Sequence, residues 1–391
     1  MLDYDPFAEA VRRDPHPHYR RLRDEAPAYY LPKYDAWALS RFQDIWDASF
    51  DSESYSTARG TTPAQVLTKD QPVTPMLNTM DPPAHTKLRS AIRECFLPKH
   101  LRKLEPGVRA MFEGLVDAVF ERRRCDVVQD LGAQLSVRVA CIAIGIPLED
   151  ADRLNRMVTR FFHHDPGTGG MTADGLSALQ ELTVYCLDAI RARRRDPQPG
   201  PEALNALASF AYEGRRFTDE EAASHVTMLV IGGSETFPKT LATGVLRLAE
   251  QPDQRARLAA DPSGIPAAYD EIVRYDMPTQ FLCRTLTRDV ALHGQVMREG
   301  QGVMFLYPSA NRDEREFANP DVFDVRRRPP RILSFGAGTH ACLGTHVARL
   351  EGRITLETLL RRMPDYAVDL AGAKRLRTEF VQGFASLPIS W

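Results

Sequence analysis

The chain has 391 residues, 43% hydrophobic and 26% charged, with 50 Lys and Arg against 52 Asp and Glu and a formal net charge of −2. This composition excludes a disordered or fibrous chain and gives no electrostatic argument for nucleic acid. Six widely scattered cysteines (Cys95, Cys125, Cys141, Cys186, Cys283 and Cys342) form no C-x-x-C pair, which points to reduced thiols and not to a disulfide framework.

In chain order, Met1 to Pro6 carries neither a basic region nor an apolar run, and no segment reads as a membrane span, so a cytoplasmic protein without a membrane partner is expected. Prolines punctuate the first eighty residues around a strand-like stretch, Tyr29 to Ser40. Gly60 to Pro83 is polar and rich in Thr and Pro and reads as a long loop. Helical periodicity then dominates from Ala84 to about Leu258, broken at Asp165–Gly170 and Asp196–Pro201. Further strand-like pieces are Asp289 to Leu306 and Tyr366 to Trp391. With no convincing linker and no internal repeat, residues 1–391 are expected to form a single, mainly α domain with small β-sheets.

Thr218-Asp219-Glu220-Glu221 reads as a capping box opening a helix to about Glu250, roughly 48 Å at 1.5 Å per residue. Inside it lies Gly232-Gly233-Ser234-Glu235-Thr236-Phe237-Pro238, which opposes helix propensity at almost every position. Pro238 withholds the N–H that would bond the carbonyl of Ser234, so a local opening is expected on the turn before it. The glycines would let a flat cofactor or a small gas molecule approach the backbone, and Glu235 and Thr236 place a proton carrier beside a hydroxyl.

Near the carboxyl end, Phe335-Gly336-Ala337-Gly338-Thr339-His340-Ala341-Cys342-Leu343-Gly344 precedes a helix-patterned segment, Thr345 to Arg362. Glycines around Cys342 let several N–H groups gather on one sulfur at a helix entrance, which predicts an easily ionised thiol. Nucleophile, redox sensor and metal ligand all want that environment. Gly336-x-Gly338-x-x-Ala341 also fits a dinucleotide fingerprint, but the residues after Cys342 leave no room for the β-α-β repeat which that reading requires. His163-His164 and His16-x-His18 lack a four-ligand zinc spacing.

The run F-G-x-G-x-H-x-C-x-G resembles the haem-binding loop of the cytochrome P-450 family, and the resemblance extends from near the N-terminus to the last residues. It implies that Cys342 is the axial thiolate of a haem b iron, with Phe335 packed beside a loop shaped by Gly336 and Gly344. The Gly-rich run resembles the family's oxygen-activating stretch, which implies that Thr236 hydrogen-bonds dioxygen and Glu235 relays protons. Phe237 and Pro238 depart from that pattern and bear on the proton route and the helix's local shape. His85 and Arg89 match the family's H-x-x-x-R helix, and with Arg284 and His340 they would face the haem propionates. Glu271 and Arg274 resemble its structural E-x-x-R pair, joined by Arg327.

The fold implied is the cytochrome P-450 fold, with haem between the long central helix and the cysteine loop. The activity implied is insertion of one oxygen atom from O2 into a small apolar substrate. Electrons would come from NAD(P)H through a separate ferredoxin and ferredoxin reductase, with the protein a monomer. Lys99, Arg102, Lys103, Arg349 and Arg353 are candidates for a basic docking face. A peroxide-driven enzyme of the same fold and a non-catalytic haem-binding sensor are the alternatives; the Glu235-Thr236 pair argues against both. Candidate pocket-lining residues are Val66, Leu67, Met76, Phe161, Phe162, Met228, Ile231, Phe281, Phe384 and Ala385, which indicate only an apolar, medium-sized substrate.

Overall fold

Apolar residues three, four and seven positions apart drive most of the chain into helices that bury one face each. The Pro98–Phe120 helix buries Leu101, Val108, Phe112, Val116 and Val119. The computed structural model describes residues 2–163 and 172–391; the expected break at Asp165–Gly170 and His164 lie outside the described residues. Five-stranded pairing joins Ala28–Leu31, Ala36–Leu39, Gly302–Phe305, Leu282–Leu286 and Tyr55–Ser56 in that spatial order. Gly302–Phe305 runs parallel to Ala36–Leu39, with Gly302 opposite Ala36, and the other pairs are antiparallel. A second, three-stranded sheet places Pro388–Ser390 between Ala367–Val368 and Arg124–Asp126. The strand-like stretches of the sequence therefore pair as expected, whereas Leu282–Leu286 and the short Tyr55–Ser56 and Arg124–Asp126 strands carry too little periodicity to be read in advance.

One sequence expectation needs correcting. The continuous helical stretch Val127–Ile144 is long and apolar enough to cross a membrane by length and composition, but 72% of it is buried inside the protein. Its apolar character on all sides follows from packing: it lies between the helices Asp219–Ser234, Ala151–Phe161 and Pro98–Phe120.

The central helix is two helices. Thr218 and Glu221 form the expected capping box, the first helix ends at Ser234, and a second runs from Thr236 to Glu250, with Glu235 between them. The Ser234 carbonyl that Pro238 cannot serve is taken by the Ser136 hydroxyl at 3.0 Å. Pro238 itself packs onto Gly132, where an added Cβ would lie 2.9 Å from the Pro238 Cα. A second glycine contact sets the Thr345–Arg362 helix: a Cβ on Gly352 would lie 2.2 Å from the Tyr269 ring, so the two helices meet backbone to ring. The Glu271–Arg274 pair on the Ile265–Tyr275 helix is fully buried and bidentate, at 2.6 and 2.8 Å. Arg274 also donates to the carbonyls of Asn311 and Pro320, and Arg327 donates to Glu271 at 3.2 Å. Arg274 Nη1 and the Glu271 carboxylate thus fasten the irregular segment 311–328 against the helix.

His225, on the first central helix, is buried, stacked 5.1 Å from the Phe217 ring, and its Nδ1 has no hydrogen-bond partner. Burial pushes its pKa from 6.5 down to about 4. The unfolded chain takes up a proton below 6.5 that the folded chain refuses until about 4, so this group favours unfolding as pH falls through that window and is neutral above it. In His225→Phe the loss of unfolding free energy between pH 7 and pH 5 should shrink by about 2 kcal/mol. Denaturant melts at the two pH values measure this; equal losses in both proteins would contradict it.

Candidate haem and oxygen site

Two elements that the sequence singles out meet across one cavity. The loop Phe335–Gly344 forms one wall. It is closed by the Cys342 N–H donating to the Phe335 carbonyl at 2.7 Å, and it is turned by Gly336 and Gly338 at φ of 66° and 63°. Gly338 has no alternative, since a Cβ there would lie 2.0 Å from the Ser49 carbonyl oxygen. Cys342, unlike the five other cysteines, is exposed, and the space it faces is this cavity. The opposite wall is the break in the central helix. Gly232 and Gly233 lie in the last turn of the first helix and are exposed toward the cavity, a Cβ on Gly232 would meet nothing within 4 Å, and Thr236 lines the same space.

The thiol does not ionise as easily as the sequence suggests. Burial pushes the Cys342 pKa up, and the Gly344 N–H, the Thr345 hydroxyl and the Arg89 charge offset only part of this. The helix entrance is present, but Cys342 opens only onto the cavity, and the protein packed around it disfavours a charge on sulfur.

His85, Arg89, Arg284 and His340 converge beside the loop. The His85 and His340 rings lie 4.2 Å apart, His340 is within 3.4 Å of the Thr57 hydroxyl, Arg89 donates to the Ala341 carbonyl at 2.6 Å, and the buried Arg284 donates to the Cys283 carbonyl at 2.7 Å. His85 is buried with neither ring nitrogen hydrogen-bonded. Burial, then Arg89, lowers its pKa to about 4; burial, then Arg284, His85 and Arg89, holds His340 far below its ordinary value. So many donors and positive charges, with unsatisfied imidazole nitrogens, fit a cofactor bearing anionic groups. An exposed sulfur facing a cradle without side chains fits a flat, metal-bearing one.

Glu235 departs from the expected arrangement. Its carboxylate pairs with Lys239 on the next turn of the helix, and it is Thr236, not Glu235, that lines the cavity. Lys239 is buried beneath the C-terminal hairpin Lys374–Arg377/Gln382–Ser386, where a Cβ on Gly383 would come within 2.8 Å of its stem, and its ammonium lies 5.8 Å from the Phe162 ring. Burial raises the Glu235 pKa and Lys239 opposes the rise. Lys239 was legible only as an i, i+4 partner. Glu351, one face of the helix that follows the cysteine, also lines the cavity; it is buried, its Oε1 has no partner, and burial holds its pKa well above the usual carboxylate range.

None of the ten expected pocket-lining residues lines the cavity. Val66, Leu67 and Phe281 pack in a core cluster under the N-terminal segment, and Phe384 in the largest core cluster. Leu229, Ala140, Ile144, Phe237, Met277 and Leu282 line it instead. Leu229 shows the reason: Met228 and Ile231 are its neighbours, and only the rotation of the helix decides which of them turns to the cavity. Of the five candidate docking cations, Lys99 pairs with Glu94, Arg349 with Asp270 and Arg353 with Glu105, which leaves Arg102 and Lys103 without ion pairs among the described residues. His163-His164 and His16-x-His18 contribute to no metal-ligating group of three among the described residues.

A lone cysteine facing a broken, glycine-bearing helix, with a cationic cluster at one side, defines the class of haem-thiolate proteins. The family model described as Cytochrome P-450 matches residues 265–368. The chain is 36% identical over 392 residues to putative cytochrome P-450 123 of Mycobacterium tuberculosis, covering 100% of this chain and 97% of that protein. It is 35% identical over 378 residues to steroid C26-monooxygenase of the same organism, covering 95% and 92%. The solved structure of CYP109E1 from Bacillus megaterium in complex with corticosterone matches with a TM-score of 0.84 and 26% identity, covering 98% of this chain and 99% of that one. The chain belongs to the cytochrome P-450 family, and it is a monooxygenase of the haem-thiolate type.

Ser136→Ala would leave the buried Ser234 carbonyl unpaired and should cost about 1–3 kcal/mol of stability. Equilibrium unfolding measures it, and a loss below about 0.5 kcal/mol would show that the break is not held by this bond.

Proposed function

We propose that this chain is a cytoplasmic, single-domain, monomeric monooxygenase that inserts one oxygen atom from O2 into a small apolar substrate, with electrons from NAD(P)H delivered by a separate ferredoxin and its reductase. The observation that carries the reading is that Cys342 and Thr236 face one cavity from opposite walls. The haem, when bound, supplies the centre at which dioxygen is reduced and one of its atoms transferred. Cys342 would hold the iron as its thiolate ligand, since its sulfur alone among the cysteines is exposed and it faces the cavity. His85, Arg89, Arg284 and His340 would bind the propionates. Phe335, with Arg349 stacked 5.2 Å from its ring, would support the ligand loop that Gly336 and Gly344 shape.

On the opposite wall Thr236 would orient the oxygen substrate through its hydroxyl. Glu235 would relay protons, and its ion pair with Lys239 turns the carboxylate from the cavity and favours its deprotonated form. Arg102 and Lys103 remain as cations for an acidic redox partner. The apolar lining suits a hydrocarbon skeleton, and the likeness to a steroid C26-monooxygenase and to a corticosterone-bound structure supports a steroid-sized one.

Cys342→Ala should abolish the thiolate-type absorption band of the reduced, carbon-monoxide-treated protein, and Thr236→Ala should keep it but divert electrons to peroxide. An unchanged product yield per electron in Thr236→Ala would remove that residue from the reaction. Testosterone and corticosterone titrated against the haem spin state test the substrate class. Product formation with peroxide alone, without NAD(P)H or redox proteins, would instead favour the peroxide-driven reading.

Lys239→Met should remove the partner that lowers the Glu235 pKa, leaving the carboxyl protonated to higher pH, as the sign of the pair requires. Infrared spectra of the carboxyl band, compared with those of Glu235→Gln, read this out. A band that titrates identically with and without Lys239 would refute the coupling.

A further inference from the structure

Beside the haem cavity, with which it shares Met277, lies a cleft in which arginines outnumber carboxylates. The helix Glu9–Arg13, the C-terminal hairpin and the segment 276–280 enclose a cleft of about 80 Å³. The exposed Arg13 from the helix and the exposed Arg375 and Arg377 from the hairpin line it together with Arg247, and among the described residues the first three are in no ion pair. Asp276 is the one carboxylate on its walls, and it is already held by Arg247 at 2.6 Å and Arg312 at 3.5 Å. Glu250 is likewise taken by Arg247. His16, also on the wall, is held neutral by burial and by Arg312, which bring its pKa down to about 4.

The cleft is built and not a chance meeting of loose side chains. Gln382 of the hairpin donates to the Arg12 carbonyl at 3.1 Å, which ties the end of the short helix to the hairpin. The Gln382 N–H bonds the Pro278 carbonyl, and the Gln280 N–H bonds the Phe380 carbonyl, both at 2.8 Å, which ties the third segment in. Arg375 is oriented by lying 4.4 Å over the Phe384 ring, its cross-strand neighbour. Arg375 and Arg377 stand two residues apart and so on one face of their strand. Burial and then the charge of Arg377 lower the hold of Arg375 on its proton, and Asp276 and Glu250 offset this only in part.

We propose that this cleft binds a phosphate group, gripped by Arg13, Arg375 and Arg377. Three forked guanidiniums with no partner suit a compact dianion with several acceptor oxygens, and the volume admits one such group but not a nucleotide. The group is either free inorganic phosphate or the phosphate ester end of an organic molecule. The site lies beyond the oxygenase reading and does not depend on it.

The test is calorimetric titration of the holoprotein with inorganic phosphate in Tris buffer at low ionic strength. One saturating site is expected, weakened by about tenfold or more in Arg375→Gln/Arg377→Gln, as removal of charge-assisted hydrogen bonds requires. Arg13→Gln, on an exposed helix end, serves as a second variant should the double one fold poorly, and should weaken binding severalfold. No saturating site in the native protein, or equal affinity in the variants, would overturn the proposal. Octyl phosphate distinguishes the sources. Affinity well above that for inorganic phosphate, lost in the same variants, assigns the cleft to an organic ester, and equal affinity assigns it to the free ion.

Discussion

The hydrogen bond that Pro238 cannot make is the constraint around which the site is arranged. A continuous helix from Thr218 to Glu250 would leave the Ser234 carbonyl unserved in a dry interior, at a cost comparable to that of a buried orphan group. The fold resolves this by stopping the first helix at Ser234, supplying Ser136 as the donor, and shaping Gly132 to receive the proline ring. With the helix broken there, Glu235 and Thr236 take different directions: the hydroxyl turns to the cavity and the carboxylate to Lys239. Glu235 keeps the i, i+4 spacing to Lys239 that a helix provides, while its neighbour Thr236 faces the cavity.

Electrostatics around the cysteine are set by burial more than by the helix entrance. The same desolvation that raises the thiol lowers the His85 pKa to about 4 and raises that of Glu351 well above the usual carboxylate range, so burial disfavours charge on each of these groups. Such a cavity is poised for a ligand that brings both a cation for the sulfur and anions for the arginines. The arrangement explains why the cationic donors gather beside the loop that carries the sulfur.

Much of this was legible in the residues. The Phe335–Gly344 loop, the capping box at Thr218 and the break before Pro238 are local events, fixed by glycine and proline chemistry within a few positions, and each lies where the sequence places it. The E-x-x-R pair and its Arg327 are in contact as the family resemblance implies. What escaped depends on tertiary rotation and on partners far apart in sequence. The cavity is lined by Leu229 and not its neighbours, the Glu235 carboxylate is engaged by Lys239, and three of five surface cations are neutralised by Glu94, Asp270 and Glu105. The ease of ionisation read from the helix entrance failed for the same reason, because burial is not written in the local letters.

The strand Arg124–Asp126 is paired with Pro388–Ser390, and Ser56 and Thr57 reach Asp81 beside the helix that carries His85. The loop wall is itself held by distant partners, with His340 beside Thr57 across 283 positions and Arg89 on the Ala341 carbonyl across 252, and such non-local contacts are slow to form. No fragment holds a finished cradle. Colour should therefore serve as a gauge of the whole molecule's integrity, with bleaching during denaturation reporting collapse of the entire scaffold and not the loosening of one loop.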